Sequence, residues 1–241
     1  MRGLFVTGTD TGVGKTIVSA ALVAAIHATG ERVRAYKPVL TGLDEIPPDG
    51  AGSWPPDHEL LGSAAGMSAE DVAPLRYGAA ASPHLAAELA GERIDPAVLL
   101  AHARAAGAGA TLIVEGVGGL LVPLAEDYSV CDLAVDIALP VLVAARAGLG
   151  TINHTLLTLR TARAAGLEVR AVVLTPWPRE PEAIERSNRE TIERLGEVEV
   201  ATLGELAGPS VAELAAAGGS LPWSRWIAGY SARPAARNAS P

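Results

Sequence analysis

The chain has 241 residues, 49% apolar and 19% charged, enough to bury one sizeable α/β core. No apolar run approaches the ~20 residues that span a bilayer. Residues 1–7 are too short, and too soon interrupted by Gly and Asp, for a secretory signal, and Cys131, the only cysteine, provides for neither an internal disulfide nor a thiolate metal cluster. With 19 basic and 27 acidic residues the formal charge is −8, which argues against nucleic acid and membrane and leaves a small molecule as the expected partner of a cytoplasmic protein.

Residues 4–7 read as a buried strand, and 16–29 carry helical spacing. Between them lies Gly8-Thr9-Asp10-Thr11-Gly12-Val13-Gly14-Lys15-Thr16, a glycine-rich turn that opens a helix. Backbone N–H groups gathered at a helix N-terminus form a cradle for polyphosphate. Lys15 is expected to reach the β- and γ-phosphates and the Thr16 hydroxyl to ligate Mg²⁺, with Gly12, Val13, Gly14 and Ile17 completing the nucleotide contacts. Five residues separate Gly8 from Gly14, one more than the common form has.

The second strand, 33–36, runs into Lys37-Pro38, and Pro38 ends it because proline cannot donate to a ladder. Lys37 should therefore lie on the same sheet edge as the glycine-rich loop. Only Lys15 and Lys37 are lysines; the other 17 of the 19 basic residues are Arg. A chain that otherwise uses Arg for surface charge has a chemical reason to keep a compact ammonium at these two places, and the reading for Lys37 is stabilisation of a phosphoryl group in flight. Residues 44–56 are a loop excursion rich in proline. Asp57, following Pro55-Pro56, reads equally as the N-cap of a helix and as a metal ligand.

A helix is expected over 96–106 and a strand over 111–115. Glu115 then places a carboxylate at the carboxyl end of a buried strand, where open α/β sheets bind ligands. An unpaired buried carboxylate is costly, so a cation should face it, and Mg²⁺ is the expected one. Gly116-Val117-Gly118 behind it would let backbone approach the nucleotide closely. Strand 141–145 leads into Arg146-Ala147-Gly148-Leu149-Gly150-Thr151 and a helix over 152–165. This second glycine-rich turn suits a substrate carboxylate, and it suits chain reversal almost as well. A strand over 169–174, a helix over 180–195 and a short strand over 200–203 complete the pattern, and residues 233–241 are too poor in apolar content to pack. The βαβ alternation predicts a single α/β domain over 1–232, a mostly parallel sheet of the P-loop NTPase type with helices on both faces.

Five blocks together resemble the dethiobiotin synthetase family: the loop from Gly8 to Thr16, Tyr36-Lys37-Pro38-Val39 with Thr41-Gly42, Ser82-Pro83-His84, Glu115-Gly116-Val117-Gly118-Gly119, and Leu149-Gly150-Thr151-Ile152-Asn153-His154. The resemblance spans most of residues 1–160. It implies a homodimeric, Mg²⁺-dependent enzyme that uses ATP to carboxylate 7,8-diaminononanoate with CO₂ and close the ureido ring of dethiobiotin. It further implies that Lys15, Lys37 and Thr11 are catalytic, that Thr16, Asp57 and Glu115 hold the metal, and that Thr41, Gly150, Thr151 and Asn153 bind substrate, the last three from the neighbouring subunit.

One stretch departs from the family. After 171–174 the family commonly carries Asn-Asp, whose amide reads adenine; here the nucleotide-side residues are Thr175 and Pro176, so nucleoside triphosphates other than ATP are expected to serve as well. Two other classes share such a sheet. A partitioning-type switch ATPase would carry an extra lysine early in the loop, where this chain has Asp10-Thr11. An ATP-dependent amidotransferase would need a nucleophilic cysteine in a setting that Cys131 lacks.

Overall fold

A computed structural model of the chain describes residues 1–45 and 54–228. In chain order the strands are β1 (Arg2–Gly8), β2 (Val33–Tyr36), β3 (Val39–Leu40), β4 (Leu75–Arg76), β5 (Thr111–Gly119), β6 (Pro123–Ala125), β7 (Tyr128–Ser129), β8 (Val141–Ala145), β9 (Val169–Trp177) and β10 (Glu199–Gly204). The helices are α1 (Lys15–Ala28), α2 (Asp57–Ala65), α3 (Ala69–Val72), α4 (Pro83–Leu89), α5 (Pro96–Ala106), α6 (Val130–Ile137), α7 (Thr151–Ala164), α8 (Ala183–Gly196), α9 (Val211–Gly219) and α10 (Trp223–Ile227).

Six strands form one sheet in the order β10-β9-β8-β1-β5-β2, every neighbouring pair parallel. Side chains alternate between its faces, and both sides are apolar. Leu4 and Val6 of β1, Ile113 of β5 and Ala171 and Val173 of β9 pack beneath α1, α2, α9 and α10. Phe5, Leu112, Val114, Val172 and Leu174 pack beneath α5, α6, α7 and α8. The expected α/β architecture with helices on both faces is therefore the observed one.

The central sheet strands and the long helices fall within a few residues of their expected places. Strands β5 and β9 run three residues or more past their expected carboxyl ends. β5 continues to Gly119, which lies opposite Gly8 in the register with β1, and β9 continues through Thr175 and Pro176, joined by a cis peptide bond, to Trp177. Residues 46–53 of the expected loop excursion and the tail at 233–241 lie outside the described residues. Helix α9 approaches α1 at Gly218, where a β-carbon would overlap the Ala21 carbonyl and crowd Ala25.

Candidate active site

The order of strands reverses beside β1, since β2 lies to one side of it and β8 to β10 to the other. Such a switch point opens a crevice at the carboxyl ends of the strands. The loop after β1 occupies it. Gly14 is the N-cap of α1 with φ 91°, so the helix begins with no side-chain cap and its first N–H groups remain available to an anion. A β-carbon on Gly14 would also stand 2.6 Å from the Thr175 methyl, so β9 closes against the loop from behind. Asp10 shapes the loop from within: its Oδ1 accepts from the Thr11 N–H at 2.7 Å, and its carbonyl accepts from Lys15 Nζ at 2.8 Å.

Strand register brings the charged groups together. Tyr36 lies opposite Val114, so Lys37 falls beside Glu115. Glu115 follows Ile113 by two residues and shares its face, the one covered by α1. It therefore meets Thr16, whose hydroxyl donates to Glu115 Oε1 at 2.9 Å, while Lys37 Nζ donates to the same oxygen at 2.8 Å. Asp57, at the start of α2, forms an ion pair with Lys37 from the other side. Lys37 and Glu115 have side chains 6% and 1% exposed, whereas Asp57 is 39% exposed. Glu115 Oε2 is buried with no hydrogen-bond partner among the described residues.

The electrostatics follow from this packing. Burial alone would lower the Lys37 ammonium, but Glu115 and Asp57 outweigh it and raise its pKa above the ordinary lysine value. Burial also pushes Lys15 down, with Lys37 adding to the effect, and the carboxylates of Glu115, Asp57 and Asp10 only partly offset this. Asp57 moves opposite to what burial would do: Lys37, with help from Thr16 and Lys15, holds its carboxyl below the usual value of 3.8.

These residues line one cavity of about 790 Å³, within the range of small-molecule sites. Of the expected site residues, Thr11, Gly12, Gly14, Lys15, Thr16, Ile17, Lys37, Thr41, Asp57, Glu115, Val117 and Gly118 line it. Val13 does not; it is buried beneath the loop, 2% exposed. Gly116 is buried against Phe5 and Val130. Thr175 is buried behind Gly14 and Pro176 is exposed, neither on the cavity wall. Gly150, Thr151 and Asn153 also lie off this wall at the start of α7, where Thr151 is buried beside Thr155 and Asn153 is exposed.

Asp57 is not the N-cap of α2; Pro56 holds that position, and the Asp57 carboxylate is turned to Lys37 instead. Leu40, Ala80, Ala81, Ser82 and Pro83 also line the cavity, and the sequence assigned none of them to the site. Pairing of β3 with β4 carries them there. Their one local signal is Ser82-Pro83, which is the N-cap and first residue of α4.

A family model described as an AAA domain matches residues 2–213. Two solved structures share the fold at 12% identity and a TM-score of 0.53 each: a ParA family ATPase from Chlorobium tepidum TLS, covering 91% of this chain and 98% of that one, and apo McdA from Cyanthece, covering 90% of both. Among curated relatives, the ATP-dependent dethiobiotin synthetase BioD of Bacillus subtilis (strain 168) is 39% identical over 191 residues, 79% of this chain and 81% of that protein. The protein of the same name from Anaeromyxobacter dehalogenans (strain 2CP-1 / ATCC BAA-258) is 46% identical over 177 residues, 72% of this chain and 76% of the relative. Similarity of this degree over most of both chains makes this chain a member of the ATP-dependent dethiobiotin synthetase family.

Proposed function

We propose that this chain converts 7,8-diaminononanoate, CO₂ and ATP into dethiobiotin, ADP and phosphate, as an Mg²⁺-dependent ligase of biotin synthesis. The observation that carries this reading is that both lysines of the chain face two carboxylates in one cavity, beside a helix N-terminus suited to a triphosphate. The reaction needs this combination, because a carbamate and a phosphoryl group, both anionic, have to be brought together.

The first amine attacks CO₂ and loses a proton, which forms the N–C bond of a carbamate. A carbamate oxygen then bonds to the γ-phosphorus as the bond to the bridging oxygen of ADP breaks, and a carbamic-phosphoric anhydride results. The second amine attacks the carbonyl carbon, closes the ring and expels phosphate. In this scheme Lys15 and Lys37 hold the carbamate and the transferring phosphoryl group, and their fixed charges need little reorganisation as the transition state forms. Thr11 and Thr41 donate hydrogen bonds to the same groups. Gly12, Val13, Gly14 and Thr16 cradle the phosphates, with Gly116, Val117 and Gly118 alongside the nucleotide.

The residues fit Mg²⁺. Thr16, Asp57 and Glu115 offer only oxygen, the donor that a hard cation takes, and Glu115 Oε2 is buried and unsatisfied among the described residues. Two carboxylates and a hydroxyl suit an ion that fills the rest of its shell with water and phosphate. When bound, Mg²⁺ would neutralise charge on the β- and γ-phosphate oxygens.

A homodimer accounts for the residues that lie off the cavity wall. The N-terminus of α7, with Gly150, Thr151 and Asn153, would hold the substrate carboxylate in the partner's cavity. Leu149, an apolar side chain 92% exposed beside that turn, is suited to burial by a second copy. A stable monomer should then bind ATP yet fail to bind the diamine. We further infer one domain over residues 1–232, a cytoplasmic setting, and acceptance of several nucleoside triphosphates, since Thr175-Pro176 presents no side-chain amide.

The test is incubation with diaminononanoate, bicarbonate, Mg²⁺ and a panel of ATP, CTP and GTP, with dethiobiotin read by mass. Comparable product with the three nucleotides is the expected result. Phosphate release without dethiobiotin would overturn the reading in favour of a switch ATPase.

A further inference from the structure

Beyond the two lysines, a third cation stands at the phosphate loop. Arg146 follows β8, the strand across the switch point from the loop after β1. Its Nη2 donates to the Thr11 carbonyl at 3.4 Å, the long limit of a hydrogen bond, and stands 3.6 Å from where a β-carbon on Gly12 would sit. A guanidinium has five N–H donors. No carboxylate pairs with this one among the described residues.

Arg146 itself is exposed, and the turn that carries it is fixed from behind. Asn188 on α8 is 6% exposed, and its Nδ2 donates to the Ala147 carbonyl at 2.9 Å and the Gly148 carbonyl at 3.1 Å. Asn188 belongs to the buried stripe of α8 with Ile192 and Gly196, where packing alone would select an apolar residue. An amide there breaks the pattern of its helix, and such breaks mark residues kept for what they position. What Asn188 positions is the turn that carries Arg146.

Lys37 is paired with both Glu115 and Asp57, and Lys15 is bonded to the Asp10 carbonyl, so Arg146 adds to the two lysines a cation that no carboxylate neutralises among the described residues. In a phosphate loop the backbone cradles the α- and β-phosphates and the lysine reaches the β- and γ-phosphates; Lys15 Nζ lies at the Asp10 carbonyl, so the limb from Asp10 to Gly12 is the side of the terminal phosphate. We propose that Arg146 is a γ-phosphate-binding residue of this enzyme, a cation supplied in cis that contacts the terminal phosphoryl oxygens of the bound nucleotide and is set in place by Asn188. The proposal rests on the phosphate-loop reading of the site.

Dissociation constants for ATP and ADP, measured by calorimetry in Mg²⁺, test it on the full chain. Arg146→Ala should weaken ATP by about tenfold or more while ADP changes little, since one charge-assisted contact to the terminal phosphate is lost. Arg146→Lys should recover part of the loss. Asn188→Ala should shift the ATP-to-ADP ratio in the same direction by a smaller factor. Equal weakening of both nucleotides in Arg146→Ala, or no weakening of either, would overturn the assignment while leaving the phosphate-loop reading intact. A wild-type protein that binds neither nucleotide would overturn both.

Discussion

Replacing Lys37 by methionine removes the ammonium and keeps most of the stem. Its partner Glu115 is 1% exposed and Lys37 itself 6%, so the change strands a buried carboxylate. Breaking one side of a buried pair costs about 3–5 kcal/mol. The lower end applies here, because the Thr16 hydroxyl still donates to Glu115 at 2.9 Å and the pair with Asp57, 39% exposed, is partly screened by solvent and contributes less than the buried one. About 3 kcal/mol in a chain of this size corresponds to a melting point lower by roughly 6–12 °C. Turnover should fall by about 10²–10³, the cost of one lost preorganised charge contact at the reacting group. Thermal unfolding at pH 7 and the rate of dethiobiotin formation at saturating substrates read the two effects separately. A variant that melts within about 2 °C of wild type would refute the energetic argument. One that turns over at a near wild-type rate would refute the catalytic one.

Acid stability should report on Asp57. Its folded pKa is depressed below 3.8, so its contribution is fully present above that value and is lost as pH falls through the folded pKa. Asp57→Asn should therefore lose less stability than wild type between pH 3.8 and the acid limit, and an unchanged acid limb in pH-dependent urea unfolding would contradict this. Gly218→Val should separate packing from chemistry. Its side chain would strike the Ala21 carbonyl, overpacking costs about 1–3 kcal/mol, and the melting point should drop while KM for ATP stays unchanged. Asn153→Ala should raise KM for the diamine and leave the nucleotide dissociation constant alone, as measured by steady-state kinetics and calorimetry. An unaltered diamine KM would remove α7 from the substrate site.

Much of the site was legible because its signals are local. The loop from Gly8 to Thr16 needs only its own glycines, the strand before it and the helix after it, and the structure places Lys15 and Thr16 on the cavity wall. Glu115 was legible because a carboxylate ending an apolar run has few places to go. Asp57 was half legible: the helix start at Pro55-Pro56 is written in the chain, but its pairing with Lys37 joins residues on different elements. The wall at Leu40, Ala80 and Ala81 was not legible, since a strand of two residues such as β3 has no periodicity to read, and Ser82-Pro83 stood out only as a family block with no role in the site. Helix α6 was missed although Ser129 and Asp132 form a capping box before an apolar run, a signal present in the chain.

The sequence by itself determined the class of fold, the phosphate loop and the two lysines, because strand and helix periodicity, glycine-rich turns and residue type act over a few neighbouring residues. Tertiary structure decided who meets whom. Parallel register between β2 and β5 sets Lys37 beside Glu115, packing of α2 brings Asp57 to the same ammonium, and the strand order that seats β8 beside β1 carries Arg146 over Thr11. Contacts of this kind join residues separated by 20, 78 and 135 positions. They depend on sheet order and side-chain burial, and no local pattern encodes either.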